Sequence, residues 1–321
     1  MKEDSSSTES NAHLVYPILV GGALTGILDI IPAFISFGRT APQGVAAALL
    51  GRSVAFQGGL ITWLFGIAIH FFIAFVAAAV YCIAAKRLAF LAEHWVVCGL
   101  MYGVVVFLFM NLVVVPLSAL HLAGPFPRIA LLQGIIGNMF EVGLPISFSM
   151  RRFVSMQAAA TATADIPEHR ARSGVTRIKL LPPILTGGIL AGALDKIAGF
   201  LAAGLRSPQG IAAGLVGRSI AYHGGAATWV LGMALHFFIA LVAATVYCVA
   251  AQRLGFLRQH WLVCGPIYGI AVYLVMTLLV LPVSALHLAG PYTLGNLLQG
   301  VMIHMILVGL PISYCLRKFE E

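Results

Sequence analysis

The chain repeats itself once along its length. From position 17 onwards the sequence is written again 166 residues later without a gap, so that TWLFGIAIHFFIA returns as TWVLGMALHFFIA and VPLSALHLAGP returns as LPVSALHLAGP. Of the 137 positions in 17–153, 79 are identical in 183–319. Such self-similarity is typical of one structural module that has been duplicated and fused. The fold must therefore be one that nearly the same sequence can build twice.

Apolar residues dominate both copies. Hydrophobic residues make up 60% of the chain and charged residues only 9%, and the mean hydropathy is +0.97. Soluble domains carry about 25% charged residues, so this composition indicates a protein embedded in lipid. Strand-like alternation is absent, which favours helices that satisfy their own backbone hydrogen bonds.

Each copy contains four apolar stretches of about 20 residues or more, the length that a helix needs to cross about 30 Å of hydrocarbon. The stretches lie at 17–37, 58–85, 95–116 and 129–150 in the first copy and at 183–203, 224–251, 261–282 and 294–316 in the second. The sequence therefore predicts an all-α integral membrane protein with eight transmembrane helices in two four-helix repeats.

Because each copy has an even number of spans, the first copy ends on the side of the membrane where it began, and the second copy enters from that same side. The copies are therefore predicted to be parallel repeats, related by a pseudo-twofold axis along the membrane normal. The N-terminal tail, the loops 86–94, 151–182 and 252–260 and the C-terminus hold 13 Lys and Arg residues, and the loops on the other side hold five. This bias predicts that both termini are cytoplasmic. It also accounts for much of the net charge of +8, so a nucleic-acid partner is not expected.

Two polar segments lie on the predicted cytoplasmic side. Residues 1–16 lack the basic start and apolar core of a secretory signal, and we expect a disordered cytoplasmic tail. Residues 154–182 combine an Ala/Thr-rich run with a basic cluster, which is typical of a linker between the membrane repeats 17–153 and 183–319.

Few formally charged residues fall inside the predicted spans. They are Asp29, Glu141, Asp195 and Lys196. Because a charge at the bilayer centre costs about 2.5 to 3.5 kcal/mol on insertion scales, each should face protein or water. Asp29 follows the GxxxG pair Gly22 and Gly26 on one helix face, so it is predicted to point into a close helix contact. The second copy repeats this arrangement at Gly188, Gly192 and Asp195.

His70 and His236 lie well inside the second span of each copy. At 1.5 Å per residue, Asp29 and His70 are about 18 Å and about 24 Å from the cytoplasmic ends of their helices, which permits an Asp–His pair in each copy. Such a pair could relay protons. The alternatives are a neutral histidine bonded to a backbone carbonyl and an aspartate that only accepts hydrogen bonds from a neighbouring helix.

The copies differ at several polar positions. Ile30 becomes Lys196, Glu141 becomes Leu307, Asn138 becomes His304 and Gln57 becomes His223. Because a lone charge is costly in lipid, Glu141 and Lys196 are predicted to form an inter-repeat charge pair. Pairing of Lys196 with Asp195 or Asp29 is the alternative.

Cysteine and histidine recur near the cytoplasmic ends of the spans. The sets are Cys82, His94 and Cys98, and Cys248, His260 and Cys264. Two thiolates and an imidazole suit Zn or Cu, but a CxxC pair and a fourth ligand are lacking, so packing is the simpler interpretation and no cofactor is assigned. Cytoplasmic exposure argues against disulfides, which leaves Cys315 unpaired.

The segments 38–57 and 204–223 on the opposite side are too short to span a bilayer. Each is predicted to be an interfacial or re-entrant helix over the mouth of the bundle. Arg52 and Arg218 in these segments are candidates for contact with an anion or a lipid phosphate, with plain interfacial anchoring as the alternative. The SALHLAGP motifs, with His121 and His287, are predicted to form a second turn on this side.

A resemblance to a known family rests on four features of the repeats. They are the motif LHFFIALVAATVYCVAA, its twin IHFFIAFVAAAVYCIAA, a Gly-rich first span and a Pro-containing third span. One copy resembles the YagU-type four-helix inner-membrane proteins of bacteria and other small membrane proteins of that size. The resemblance implies a multi-pass protein of the bacterial inner membrane without an assigned reaction. This chain differs in being a tandem fusion, so it builds internally what a single-copy protein could form by dimerisation.

Three functions remain open. The first is a permease or channel-like protein that passes protons, ions or a small solute along the repeat interface, lined by Asp29, His70, Asp195 and His236. The second is a structural or stress-related membrane protein whose polar groups join helices, and the third is a membrane redox or metal protein. Since nucleophile motifs and phosphate loops are lacking, an enzyme is not expected. Beyond the lipid bilayer, the sequence identifies no partner or oligomeric state.

Overall fold

The structure is a computed structural model that describes residues 4–122, 124–162 and 180–319. Nearly all of the backbone in these ranges is helical. Within them, eight helical segments are long and apolar enough to cross a membrane. The prediction of a multi-pass, all-α membrane protein is confirmed at this level.

The chain divides into two compact units. Unit 1 comprises Met1–Gly124 and Ile129–Arg170, and unit 2 comprises Pro125–Arg128 and Ala171–Glu321. The segment Pro125–Arg128, which was predicted to belong to the first repeat, is part of unit 2. Within unit 2, the backbone of Phe126 forms an antiparallel bridge with Tyr292, because each N–H donates to the carbonyl of the other.

The helices of the first half of the chain have the following bounds. They are α1 (Asp4–Phe37), a 3-10 turn (Gly38–Thr40), α2 (Ala41–Leu50), α3 (Arg52–Gln57), α4 (Gly59–Arg87), α5 (Phe90–Glu93), α6 (Trp95–Phe109), a π-helical turn (Met110–Val114), α7 (Val115–Leu117), α8 (Arg128–Gly137), a second π-helical turn (Asn138–Gly143) and α9 (Leu144–Ala162).

The helices and turns of the second half of the chain follow in the same order as those of the first half. They are α10 (Leu181–Ala203), a 3-10 turn (Gly204–Arg206), α11 (Ser207–Val216), α12 (Arg218–His223), α13 (Gly225–Arg253), α14 (Phe256–Gln259), α15 (Trp261–Val275), a π-helical turn (Met276–Val280), α16 (Leu281–Val283), α17 (Leu294–Ile303), a second π-helical turn (His304–Gly309) and α18 (Leu310–Lys318).

The first helix begins earlier than predicted. It starts at Asp4, so positions 4–16 of the predicted disordered tail are helical, and residues 1–3 lie outside the described ranges. Once a helix is nucleated in the membrane, each added residue gains a hydrogen bond without a new nucleation step. The predicted linker is shortened in the same way, because α9 continues to Ala162 and α10 begins at Leu181. Residues 163–179 lie outside the described ranges.

Each unit has its own core of large and small side chains. In unit 1, Tyr81 and Ile146 are fully buried beside Ala78 and Cys82, and the Tyr81 hydroxyl donates to the Leu91 carbonyl at 2.8 Å. In unit 2, Tyr247 and Ile312 take the corresponding roles, and the Tyr247 hydroxyl donates to a carbonyl at the same distance. The tyrosines thus bury their rings while satisfying their hydroxyls.

Helix α1 packs closely against α4. A Cβ atom added at Gly22 would collide with the ring of Phe75, and one added at Gly26 would collide with the ring of Phe71. The prediction that the GxxxG pair faces a neighbouring helix is therefore confirmed. Glycine at these positions leaves room for the two phenylalanine rings.

The segment between α1 and α4 folds onto α4 as two short helices. A Cβ atom at Gly66 of α4 would overlap the carbonyl of Pro42, so the backbone of α2 lies directly on α4. The indole nitrogen of Trp63 donates to the Arg39 carbonyl at 2.9 Å. The far end of α2 is tied to the SALHLAGP turn, because the Ala119 N–H donates to the Ala48 carbonyl at 2.8 Å. Helix α2 thus bridges α4 and the turn that follows α7.

Candidate functional site

Unit 1 contains a cavity of about 530 Å³. Its walls come from α1, α2, α3, α4, α6, α7, the 3-10 turn and the two π-helical turns. Most lining side chains are apolar, such as Ile69, Ile73 and Val106. The polar side chains that line it are Thr25, Asp29, Thr40, His70, Asn111 and Asn138.

Unit 2 contains a cavity of about 390 Å³ between the corresponding elements. Its walls are also mostly apolar. The polar side chains that line it are Asp195, His236, Ser284 and His304. Both aspartates and both span histidines of the predicted intramembrane site therefore line cavities within their own units.

Asp29 and His70 face each other in the unit 1 cavity. The Nδ1 atom of His70 lies 3.9 Å from the Oδ2 atom of Asp29, and the Asp29 side chain is 37% exposed. The other ring nitrogen, Nε2, lies 2.9 Å from the Gly26 carbonyl. Because a carbonyl only accepts hydrogen bonds, Nε2 must carry a proton, which leaves Nδ1 to exchange one with the cavity. The Asp–His pair and the carbonyl-bonded histidine were alternatives in the sequence analysis. In the structure, His70 lies near Asp29 and is also bonded to a carbonyl.

The equivalent pair in unit 2 has a different geometry. His236 places its Nε2 atom 2.7 Å from the Gly192 carbonyl, and the same atom lies 4.0 Å from the Oδ2 atom of Asp195. Since Nε2 donates its proton to the carbonyl, no lone pair on that nitrogen faces the carboxylate. The two copies thus hold the same residue types in different arrangements.

The expected position of Asp29 needs one correction. The sequence predicted that it points into a close helix contact, but the side chain lines a cavity. Helix α1 has no glycine between Gly26 and Gly38, so the small-residue contact with α4 does not continue to Asp29. Its carboxylate therefore has space for a water molecule or a solute beside His70.

Two cavity residues that sequence reasoning missed are Asn111 and Asn138. Each lies in a π-helical turn, and each amide nitrogen donates to the carbonyl four residues earlier, Phe107 at 2.9 Å and Gly134 at 3.0 Å. Short π-helical turns occur frequently at functional sites. The sequence feature that could have identified them is the presence of an asparagine in each of two apolar spans. A polar amide is costly in lipid unless it faces protein or water.

Close backbone approach accompanies the second π-helical turn. A Cβ atom at Gly103 of α6 would overlap the carbonyl of Asn138, and one at Gly143 would overlap the carbonyl of Gly99. Glycine on both elements lets α6 and the turn meet backbone to backbone. This contact fixes the position from which Asn138 reaches the cavity.

The predicted charge pair Glu141 and Lys196 falls in different units, and its pairing stays a prediction. Within unit 2, Lys196 is only 4% exposed, and its Nζ atom donates to the Ser207 hydroxyl at 3.1 Å. The ammonium also lies 5.7 Å from the centre of the Phe200 ring. Glu141 is half-buried in the second π-helical turn of unit 1.

The structure does not assemble the hypothetical metal sites. Among the described residues, no three His, Cys, Asp or Glu side chains are arranged to hold a metal ion. Cys82 is fully buried in the core, whereas the Cys98 thiol points to the Phe90 carbonyl at 3.8 Å. The sets Cys82, His94 and Cys98 and Cys248, His260 and Cys264 are thus not grouped as metal ligands in the described part of the chain. The five cysteines are buried thiols.

The arginines and turn histidines of the opposite side lie away from the cavity linings. Arg52 and Arg218 are exposed first residues of α3 and α12. His121 and His287 adopt left-handed backbone conformations, with φ of 47° and 48°. The turn containing His121 is held to α2 through Ala119.

In each unit, the aspartate and the histidine of the spans line one cavity. Comparisons of the chain with protein-family models, with curated proteins and with solved structures find no match. A functional assignment therefore depends on the chemistry of the cavities.

Proposed function

We propose that the protein is a permease or channel-like protein that passes protons, ions or a small solute through its units. The observation that carries the proposal is the Asp29–His70 pair, at 3.9 Å beside a cavity within the apolar spans, with a counterpart at Asp195 and His236. Ionisable residues inside membrane spans are costly and are by default functional candidates. The cavities, rather than the repeat interface, are the proposed route.

The pair is suited to move a proton. A protonated Asp29 can transfer its proton to His70 Nδ1, leaving a carboxylate and an imidazolium that attract each other. The gap of 3.9 Å is too long for a direct hydrogen bond, so a bridging water in the cavity or a small side-chain movement completes the path. The Gly26 carbonyl keeps the ring oriented by holding Nε2–H.

The volumes also suit a small molecule. Ligand sites in proteins are commonly about 300 to 1,000 Å³, lined mainly by apolar side chains with a few placed polar groups. The cavities of about 530 and 390 Å³ fall within this range. A solute bound there would contact the ionisable pair directly.

The proposal includes a membrane setting. The likeness of the repeats to YagU-type proteins supports the bacterial inner membrane, and the Lys and Arg bias supports cytoplasmic termini. The even number of spans per repeat supports parallel repeats about an axis along the membrane normal. Enzymatic activity is not part of the proposal.

A structural role is the second candidate. Several buried polar side chains donate to backbone carbonyls of other helices, including Thr25 to Val142 at 3.3 Å and Ser149 to Pro17 at 2.8 Å. Tyr102 donates to the Ala77 carbonyl at 2.7 Å in the same way. These bonds join helices without requiring transport.

Proton flux into proteoliposomes that contain a pH-sensitive dye distinguishes the candidates. The variant Asp29→Asn combined with Asp195→Asn keeps the shape of both side chains but removes their charge. We expect its flux to fall at least about 10-fold, as for loss of a positioned proton-transfer group.

The matched control is Glu93→Gln, which changes an exposed carboxyl outside the spans in the same way. It should transport like the wild type. An unchanged flux in a folded double variant would leave the structural role as the better account.

A further inference from the structure

The cavities of the two units differ in chemistry. The unit 1 cavity is lined by Asn111 and Asn138. The residue that corresponds to Asn138 in unit 2 is His304, which lines the unit 2 cavity. The residue that corresponds to Asn111 is Thr277, which is not part of the unit 2 lining. Two phenylalanines, Phe37 and Phe56, also line only the unit 1 cavity. A duplicated site has thus retained its Asp–His pair and changed its surroundings.

The asparagines supply oxygen atoms to the unit 1 cavity. Each amide nitrogen donates to a backbone carbonyl, so the amide oxygen is the group that remains to accept a hydrogen bond. Asp29 adds a carboxylate to the same lining. The polar lining therefore favours a ligand that donates hydrogen bonds and carries positive charge.

The remaining features of unit 1 favour the same ligand. Glu141 lies in the same π-helical turn as Asn138, three residues further on, and is close enough to Asp29 to interact with it electrostatically. Phe37 and Phe56 add aromatic rings to the lining, and the face of such a ring attracts cations. The aliphatic walls suit an apolar body rather than a bare metal ion, which would require a compact shell of oxygen ligands.

Unit 2 lacks these features and has a basic side chain next to its aspartate. Lys196 directly follows the cavity residue Asp195, is buried and donates to the Ser207 hydroxyl, whereas unit 1 has Ile30 at this position. The Nδ1 atom of His304 lies 2.9 Å from the Gly300 carbonyl, so Nδ1 carries a proton and only Nε2 can turn to a ligand. Leu307 replaces the carboxyl of Glu141.

We propose that the unit 1 cavity is a binding site for a small organic ammonium ion, with an ammonium head beside Asp29 and an apolar body against the aliphatic walls, and that the unit 2 cavity does not bind such ions. The inference rests on the proposed function in taking this ion as the transported solute. Binding itself is independent of flux.

Isothermal titration calorimetry on the purified full chain in detergent tests the site with three probes of the same shape. Benzylammonium carries a cationic head, benzyl alcohol a neutral one and benzoate an anionic one. We expect one benzylammonium per chain, bound at least about 10-fold more tightly than the other two, as a charge-assisted hydrogen bond implies. Equal binding of the three probes, or two benzylammonium ions per chain, would overturn the proposal.

Exchange of residues between the copies supplies matched variants. Asp29→Asn should weaken benzylammonium binding at least about 10-fold, whereas Asp195→Asn should leave it unchanged. Asn111→Thr and Asn138→His install the residues that unit 2 carries at these positions, and should each weaken binding severalfold while the chain stays folded. Unchanged binding in all three unit 1 variants would also overturn the proposal.

The two proposals fail separately. If the protein binds benzylammonium but shows no flux, the proposed transport function is rejected and the proposed ammonium site is supported. Proton flux that depends on Asp29, without preference for benzylammonium, would retain transport and reject the ammonium site.

Discussion

His70 presents its Nδ1 atom to the Oδ2 atom of Asp29 at 3.9 Å while its Nε2 atom is bonded to the Gly26 carbonyl. In unit 2, one nitrogen of His236 faces both the Gly192 carbonyl and Asp195. In unit 1 the ring nitrogen nearest the carboxylate is therefore not the one bonded to the carbonyl, whereas in unit 2 it is the same nitrogen. The two units are therefore expected to contribute unequally to proton movement.

The two aspartates can be compared one at a time. Asp29→Asn should lower proton flux at least about 10-fold, because it removes the partner of His70 Nδ1. Asp195→Asn should lower it by less, since the His236 nitrogen nearest that carboxylate donates its proton to the Gly192 carbonyl. Dye-based flux measurements on equal amounts of reconstituted protein check the order. Equal losses in the two variants would contradict the role given to the ring geometry.

Docking of α2 on α4 depends on Gly66. A methyl group at this position would overlap the Pro42 carbonyl, so Gly66→Ala should lower the free energy of unfolding by about 1 to 3 kcal/mol, the usual cost of overpacking. Thermal unfolding in detergent measures the loss.

A glycine in α2 itself is the control for this substitution. Nothing lies within 4 Å of a Cβ atom added at Gly44, so Gly44→Ala should be neutral or slightly stabilising. Equal stability of Gly66→Ala and Gly44→Ala would show that α2 does not lie on α4 as described.

His121 is held in a left-handed conformation that is costly for side chains with a Cβ atom. Substitution with glycine should stabilise the protein or leave it unchanged, whereas His121→Val should destabilise it by about 1 to 2 kcal/mol. The neighbouring substitution Leu122→Val serves as the comparison in the same thermal assay. A stability loss in the glycine variant would indicate that the imidazole has a role beyond the turn.

Topology follows from the eight spans. The five native cysteines are buried, so single cysteines added at exposed positions can be labelled selectively. Ala89→Cys and Gln252→Cys should react from one side of the membrane, and His121→Cys and His287→Cys from the other. Labelling of all four positions from one side would contradict the proposed crossings.

Much of the fold follows from local pattern. Span length and apolar composition predict the eight helical segments, and the spacing of Gly22 and Gly26 predicts the contact of α1 with α4. The depths of Asp29 and His70 in their helices permit an Asp–His pair, and the structure places the two side chains 3.9 Å apart. These features depend on helical rise and periodicity, which a sequence displays directly.

The remainder depends on long-range contacts that local pattern does not encode. The π-helical turn at Asn138 accompanies a backbone contact with Gly103, which is far away in sequence. The bond between Ala119 and Ala48 joins the turn after α7 to helix α2, a contact that no spacing predicts. The start of α1 at Asp4 was not predicted either, because the polar composition of this segment does not indicate a helix. A polar segment can nevertheless continue a helix that the membrane span has already formed.

The central claim is that solute and protons pass through the cavities, and filling a cavity tests it most directly. Gly44 lines the unit 1 cavity with open space around it, so a Gly44→Cys variant can be modified with a bulky methanethiosulfonate reagent and restored with a reducing agent. Modification should block most of the proton flux reversibly, while the wild type and Ser155→Cys, which lies outside the cavity lining, remain active. A fully labelled Gly44→Cys variant with undiminished flux would contradict the account.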